Sequence, residues 1–331
     1  MQYQPPFTLN SQILDLVANI AQKVGQVDAY GQLNRSPRLR KKNRIRTIHS
    51  SLAIEENMLS LEQVTAVVEG KHVIAPPKDL LEVQNAIKVY EEIDSFDPTS
   101  LDDLLRAHKE LMGGLVQEPG KLRSGNVGVF AGDKLIHAGT PAKYLPSVMA
   151  DLFAWLAAGD VHPLVASCVF HYEFEFIHPF QDGNGRMGRL WQTLILSRWN
   201  SLFAWLPVET LVNECQDEYY DALTSSDEQG DSTRFVEFML GMISHALDDV
   251  LASDSVVGIS DGINVGIKND AAAMHERLLL LVHENPSITV KQMASELGIS
   301  TRQAERIVSS LKRDGKLIRI GANRNGRWEV R

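Results

Sequence analysis

Apolar positions recur at helical spacing along most of this chain, a pattern that predicts a mainly α protein. From Leu9 to about Gly31 the stripe Ile13, Leu14, Leu16, Val17, Ile20, Ala21 and Val24, with Asn10 or Ser11 as a cap, predicts a first helix. A second spans 38–57, where a basic run (Arg38, Arg40, Lys41, Lys42, Arg44, Arg46) gives way to Thr47 through Asn57. Ser60 caps a short helix that Gly70 ends, and 79–96 and 100–112 are amphipathic, the latter with Ser100 ahead of Asp102 and Asp103. Further helices are predicted at 146–157, 212–223 and 232–251. The run from Val161 to Ile177 is almost wholly apolar, which marks a buried helix. Residues 123–137 instead alternate apolar and small residues around Gly132-Asp133 and predict a β-hairpin. Two strands alone are marginal, so this hairpin is not a core.

The pattern changes after residue 251. Residues 252–270 are small, polar and glycine-rich and read as a linker, expected at 251–270 between a larger helical part and a module at 271–331. In that module 274–284, 289–297 and 301–313 read as helices with a tight turn at 298–300, and 316–320 and 327–330 as strands around Asn325-Gly326. The layout resembles a winged helix-turn-helix domain. Thr301, Arg302, Gln303 and Arg306 would head its recognition helix, with Arg324 and Arg327 on the wing, so DNA contact through 301–327 is one expectation and a protein-binding or dimerising module the other.

Composition sharpens this division. The 331 residues are 44% hydrophobic, enough for a large core and two domains, and carry a formal charge of −9. From His275 to Arg331 eleven Lys/Arg face six Asp/Glu, a surplus of five that leaves −14 for the rest. No stretch approaches the roughly 20 apolar residues of a membrane span, and the N-terminus lacks a basic start with an apolar segment, so no membrane partner and a cytoplasmic location are expected. The two cysteines, Cys168 and Cys215, have no spacing for zinc or a disulfide framework.

The chemistry concentrates between His178 and Arg189. Gly183, Asn184 and Gly185 precede a run whose apolar positions Met187, Leu190, Trp191 and Leu194 predict a helix, so a glycine turn opens a helix N-terminus and forms an anion cradle. Arg186 and Arg189, three apart, can neutralise a polyphosphate from one face, and Asp182 is placed to hold Mg²⁺ on the same phosphates. An imidazole titrates near neutrality, which suits His178 to take a proton from an attacking hydroxyl. Phe180 is expected to plug the loop into the core.

Together these residues resemble the Fic family motif, His-x-Phe-x-Asp/Glu-Gly-Asn-Gly-Arg-x-x-Arg, with every defined position filled. The resemblance implies a Fic-type helical bundle with a β-hairpin flap, a core at 101–250, and an N-terminal helical region at 1–100. It also implies a protein adenylyltransferase that uses Mg-ATP to place AMP on a Ser, Thr or Tyr hydroxyl of a target protein, possibly itself, docked on the hairpin. Other readings of the same residues are removal of AMP or transfer of another phosphate-linked group, and a nucleotide-sensing DNA-binding regulator. Residues 45–57 resemble the family's inhibitory helix, Ser/Thr-x-x-x-Glu-Gly/Asn, with Ser51 and Glu55 in the fixed places and Glu56 departing from Gly/Asn. Glu55 would then pair with Arg189 and occupy the space of the γ-phosphate. Tyr219 and Tyr220 resemble the positions beside the adenine. A homo-oligomer is left open.

Overall fold

The computed structural model describes residues 3–30, 37–131 and 134–257 and, beyond them, parts of 278–330. The chain forms two compact units, Met1–Ile259 and Ser260–Arg331.

In the first unit α1 (Ser11–Tyr30) starts where the Asn10 side chain accepts the Ile13 N–H at 2.9 Å. Its buried residues Ile13, Ile20, Val24 and Val27 lie along α11 (Thr233–Val257), and Lys23 pairs with Asp248 at 2.7 Å. The N-terminal segment and the core thus share one unit, because α1 buries its stripe against a helix far away in sequence, as the Asn10–Glu237 bond across 227 residues illustrates. Between them come α2 (Pro37–Ile54), α3 (Leu61–Val68, with a Ser60/Gln63 capping box), α4 (Pro77–Glu91) and α5 (Leu101–Leu111, capped by Ser100). Then follow α6 (Leu145–Ala158), α7 (Pro163–Ile177) and α8 (Asn184–Trp199). Every α7 residue from Leu164 to Phe174 is buried, as its apolar run requires.

Two predicted helices differ in extent. Residues 212–223 belong to two helices, α9 (Val208–Glu214) and α10 (Gln216–Gln229), because Cys215 (φ −110°, ψ 39°) leaves helical geometry. The helix predicted at 232–251 continues to Val257. The hairpin pairs β1 (Gly128–Ala131) antiparallel with β2 (Lys134–Ala138), with an irregularity between Val129 and Phe130. Its Gly132-Asp133 turn lies outside the described residues.

The second unit has α12 (Val290–Leu297) and the antiparallel strands β3 (Leu317–Ile320) and β4 (Arg327–Val330). Leu278, Val282, Ile288, Met293, Val308, Leu311, Leu317 and Trp328 share its core, and the Trp328 indole donates to Ile288 O at 2.9 Å. Thr301, Arg302, Gln303, Arg306 and Arg324 lie outside the described residues. Among the described residues no helix is long and apolar enough to cross a membrane.

Candidate active site

The loop that follows α7 is fixed by its own sequence. Pro179 disfavours right-handed helical backbone for His178, which instead takes φ 52° and ends the helix with its N–H on Phe174 O at 3.0 Å. Phe180 is fully buried and stacks on His108 of α5, ring centroids 3.6 Å apart and nearly parallel. His108 Nδ1 accepts the Gly120 N–H at 2.8 Å and its Nε2 lies 3.0 Å from Asp182 O, to which it donates. Burial, opposed by the Asp182 carbonyl, pushes the His108 pKa down to about 4, so the ring is neutral and keeps this donor and acceptor arrangement. The Asn184 amide closes the turn, accepting from Phe180 N and donating to Phe180 O, both at 2.9 Å. Gly183 then caps α8 with φ 87°, and a Cβ there would meet Met112 Sδ at 2.7 Å.

The Asn184 side chain is spent on loop closure, with both its oxygen and its nitrogen bonded to the Phe180 main chain. His178 Nδ1 lies 3.3 Å from Glu175 O; a donor there fixes the tautomer in which Nε2 is the basic nitrogen. Asp182 Oδ1 accepts from Gly183 N at 2.6 Å and Arg186 Nη2 at 2.9 Å, and about half of its side chain is exposed.

Two arginines line the start of α8, both buried. Arg186 donates to Asp182 and, at 3.2 Å, to Glu82 of α4, while its Nε is buried without a partner among the described residues. Arg189 donates through Nε to Ser51 Oγ at 3.1 Å, and through Nη2 to Ser51 O at 2.9 Å and to Glu55 Oε1 at 2.8 Å. Burial works against the Arg189 charge, but Glu55 overcomes it and holds the guanidinium above its usual pKa. A Cβ on Gly185 would run into Glu55 Oε1. The Glu55 carboxylate therefore sits on the glycine turn of the cradle.

Glu55 reaches this place because α2 stops there. Glu56 N–H bonds to Ala53 O and Asn57 N–H to Leu52 O, both at 3.1 Å, which is the Schellman pattern with Glu56 in the left-handed position at φ 66°. A glycine or asparagine suits that backbone; Glu56 occupies it at a cost and points to solvent. The two glutamates are thus separated by the end of the helix rather than by rotation along it. Glu56→Gly is expected to stabilise the fold by about 0.5–1 kcal/mol, seen as a higher urea midpoint with an unchanged slope. An unchanged or lower midpoint would show that the left-handed cap is not strained.

The structure places Tyr219 inside the helical core: it is 2% exposed, ringed by His171, Phe235 and Phe238, and its hydroxyl lies 3.2 Å from His171 Nε2. Tyr220, 46% exposed, retains an open ring.

Glu82, His108 and Asn57 belong to the site without having been singled out by motif. Asn57 Nδ2 donates to Glu82 Oε2 at 2.8 Å, which joins the turn after α2 to Arg186. Glu82 and His108 did leave a sequence signal: each is a polar residue in phase with an apolar stripe, beside Val83, Ala86 and Val89 or among Leu104, Ala107 and Leu111.

A single-carboxylate donor set fits Mg²⁺, which is commonly held by one or two carboxylates plus substrate phosphates. Among the described residues no group of three or more His, Cys, Asp and Glu could hold a metal ion by itself. The orphaned Arg186 Nε, and the place over Gly185 now filled by the Glu55 carboxylate, suit the phosphates.

Fold and site define a helical bundle with an anion cradle at a helix start, a histidine before it and a hairpin flap. A family model described as Fic/DOC matches residues 98–196. The crystal structure of a Fic family protein from Desulfovibrio desulfuricans G20 is 43% identical, covers 99% of this chain and 98% of that one, and superposes with a TM-score of 0.74. This chain belongs to the Fic family. The protein adenylyltransferase Fic of Nematostella vectensis is 29% identical over 63% of this chain and 49% of its own length. The protein adenylyltransferase fic-1 of Caenorhabditis briggsae is 32% identical over 58% of this chain and 38% of its own length. The chain spans about half or less of the curated relatives it matches.

Proposed function

We propose that this protein moves AMP from Mg-ATP to a Ser, Thr or Tyr hydroxyl of a target protein, itself included, and that Glu55 restrains it. The observation that carries this reading is the Glu55 carboxylate on Gly185 and Arg189, an anion already occupying a cradle built for anions. One guanidinium cannot serve a carboxylate and a phosphate oxygen fork together, so Mg-ATP and Glu55 compete for Arg189.

With ATP seated, the main chain of Gly183–Gly185 and the two guanidinium groups bind its phosphates, and Tyr220 offers a face to the adenine. His178 Nε2 takes the proton of the target hydroxyl. That oxygen bonds to the α-phosphorus as the bond to the β-phosphate bridge breaks, and pyrophosphate leaves. Mg²⁺, held by Asp182 and phosphate oxygens, would neutralise phosphate charge. The protein supplies mostly positioning and charge stabilisation, as phosphoryl transfer demands. The target polypeptide docks as an added strand on the hairpin near 123–137. Through 301–327 the second unit offers a DNA contact.

Labelled ATP tests the reaction type. Protein should retain label from α-³²P-ATP and none from γ-³²P-ATP. Retention of γ label would replace adenylyl transfer by phosphorylation, and retention of neither by the Glu55→Gly variant would reject group transfer to protein.

A further inference from the structure

Arg123 is a buried arginine that the scheme above leaves unused. It is 7% exposed, and burial is the cause that lowers its pKa, since no carboxylate among the described residues pairs with it. Its guanidinium donates instead to four main-chain carbonyls. Nη1 reaches Gly125 O at 2.7 Å; Nη2 reaches Thr140 O at 2.5 Å and Ile177 O at 3.3 Å; Nε reaches His178 O at 2.7 Å. Its own amide donates to Pro179 O at 3.0 Å.

Those acceptors fall in two groups. Gly125 and Thr140 are the roots of the hairpin, on either side of β1 and β2. Ile177 and His178 end α7, where carbonyls have no helical donor left and a cation is favoured. Thr140 N–H also bonds Ile177 O at 3.2 Å. Gly139 is pressed into the same junction: a Cβ there would stand 3.0 Å from Arg123 Nη2 and 3.3 Å from His178 Cβ. A planar fork with five donors can satisfy this fan of carbonyls, whereas a lysine ammonium cannot.

We propose that Arg123 is a positioning residue that ties both roots of the hairpin to His178, so that the strand seat and the base form one frame. The inference rests on the adenylyl-transfer reading for its consequence. A polypeptide paired with the hairpin brings its hydroxyl into register with His178 Nε2 because one guanidinium sets the place of both.

The first test needs no activity. In the full chain carrying Arg123→Lys, amide hydrogen exchange followed by mass spectrometry should quicken together in peptides covering 125–140 and 177–182, about tenfold or more for loss of charge-assisted bonds, with 164–174 unchanged. Gly139→Ala, which keeps Arg123 and adds one methyl group, should give the same paired effect. Quickening of only one segment, of neither, or of 164–174 to the same degree would overturn the proposal.

The second test reads transfer from α-³²P-ATP in a Glu55→Gly background. Arg123→Lys should lower the rate at saturating ATP by about 10- to 100-fold and leave the half-saturating ATP concentration unchanged. An unchanged rate with weaker ATP saturation would move Arg123 to nucleotide binding and reject the positioning role. If the Glu55→Gly parent itself transfers nothing, the adenylyl reading fails, and the exchange experiment still decides whether Arg123 couples the two segments.

Discussion

His178→Ala is expected to lower AMP transfer by about 10²- to 10⁴-fold, the usual contribution of a positioned general base, while ATP binding persists. The separation follows from the geometry. The His178 side chain stands before the glycine turn, and its main chain, held by Phe174 O and Pro179, does not depend on the ring. Transfer of α-³²P label and equilibrium dialysis of ATP, run on the same preparation, would check both halves. Transfer at the unmodified rate would remove His178 as the base; loss of ATP binding together with transfer would make it a binding residue.

Glu55→Gly is expected to raise transfer by about 10- to 100-fold, from the 1.5–3 kcal/mol typical of a hydrogen bond to a charged group. Arg189 keeps its two bonds to Ser51, so the guanidinium stays aimed while its carboxylate partner is gone. Glu55→Gln should fall between, because the amide can still accept from Nη2 without the charge. The variant also leaves a buried cation without its counter-ion, so its melting temperature should drop without nucleotide and recover on addition of Mg-ATP more than that of the parent protein does. Equal transfer by parent and variant would reject Glu55 as the restraint.

Several features were legible because they are local. The loop from His178 to Arg189 carries its own turn chemistry: Pro179 turns His178 out of the helix, Gly183 supplies the left-handed cap, and Phe180 is a large apolar residue just ahead of polar Gln181 and Asp182. The Ser60, Ser100 and Asn10 caps needed only short-range bonds. The departure at Glu56 was visible as a residue, but its meaning is conformational and emerges only with φ 66°.

Other features could not be read along the chain. Tyr219 and Tyr220 are adjacent and chemically alike, yet one is sealed among aromatic rings and the other is exposed, since a helix turns neighbours about 100° apart, at ~3.6 residues per turn, and only packing says which faces inward. Cys215 gives no breaker signal, although the helix divides there.

By itself the sequence determined the helical class, the glycine turn at the start of α8 and the carboxylate, imidazole and guanidinium side chains beside it, because spacing and turn chemistry act over a few residues. Only the tertiary structure decided which groups meet. It set Glu55 on Gly185 and Arg189 across 134 residues of chain, brought Glu82 to Arg186 across 104, and joined Arg123 to His178 across 55. Such pairings depend on how buried helix faces pack, and packing is a property of the whole core rather than of any stretch within it.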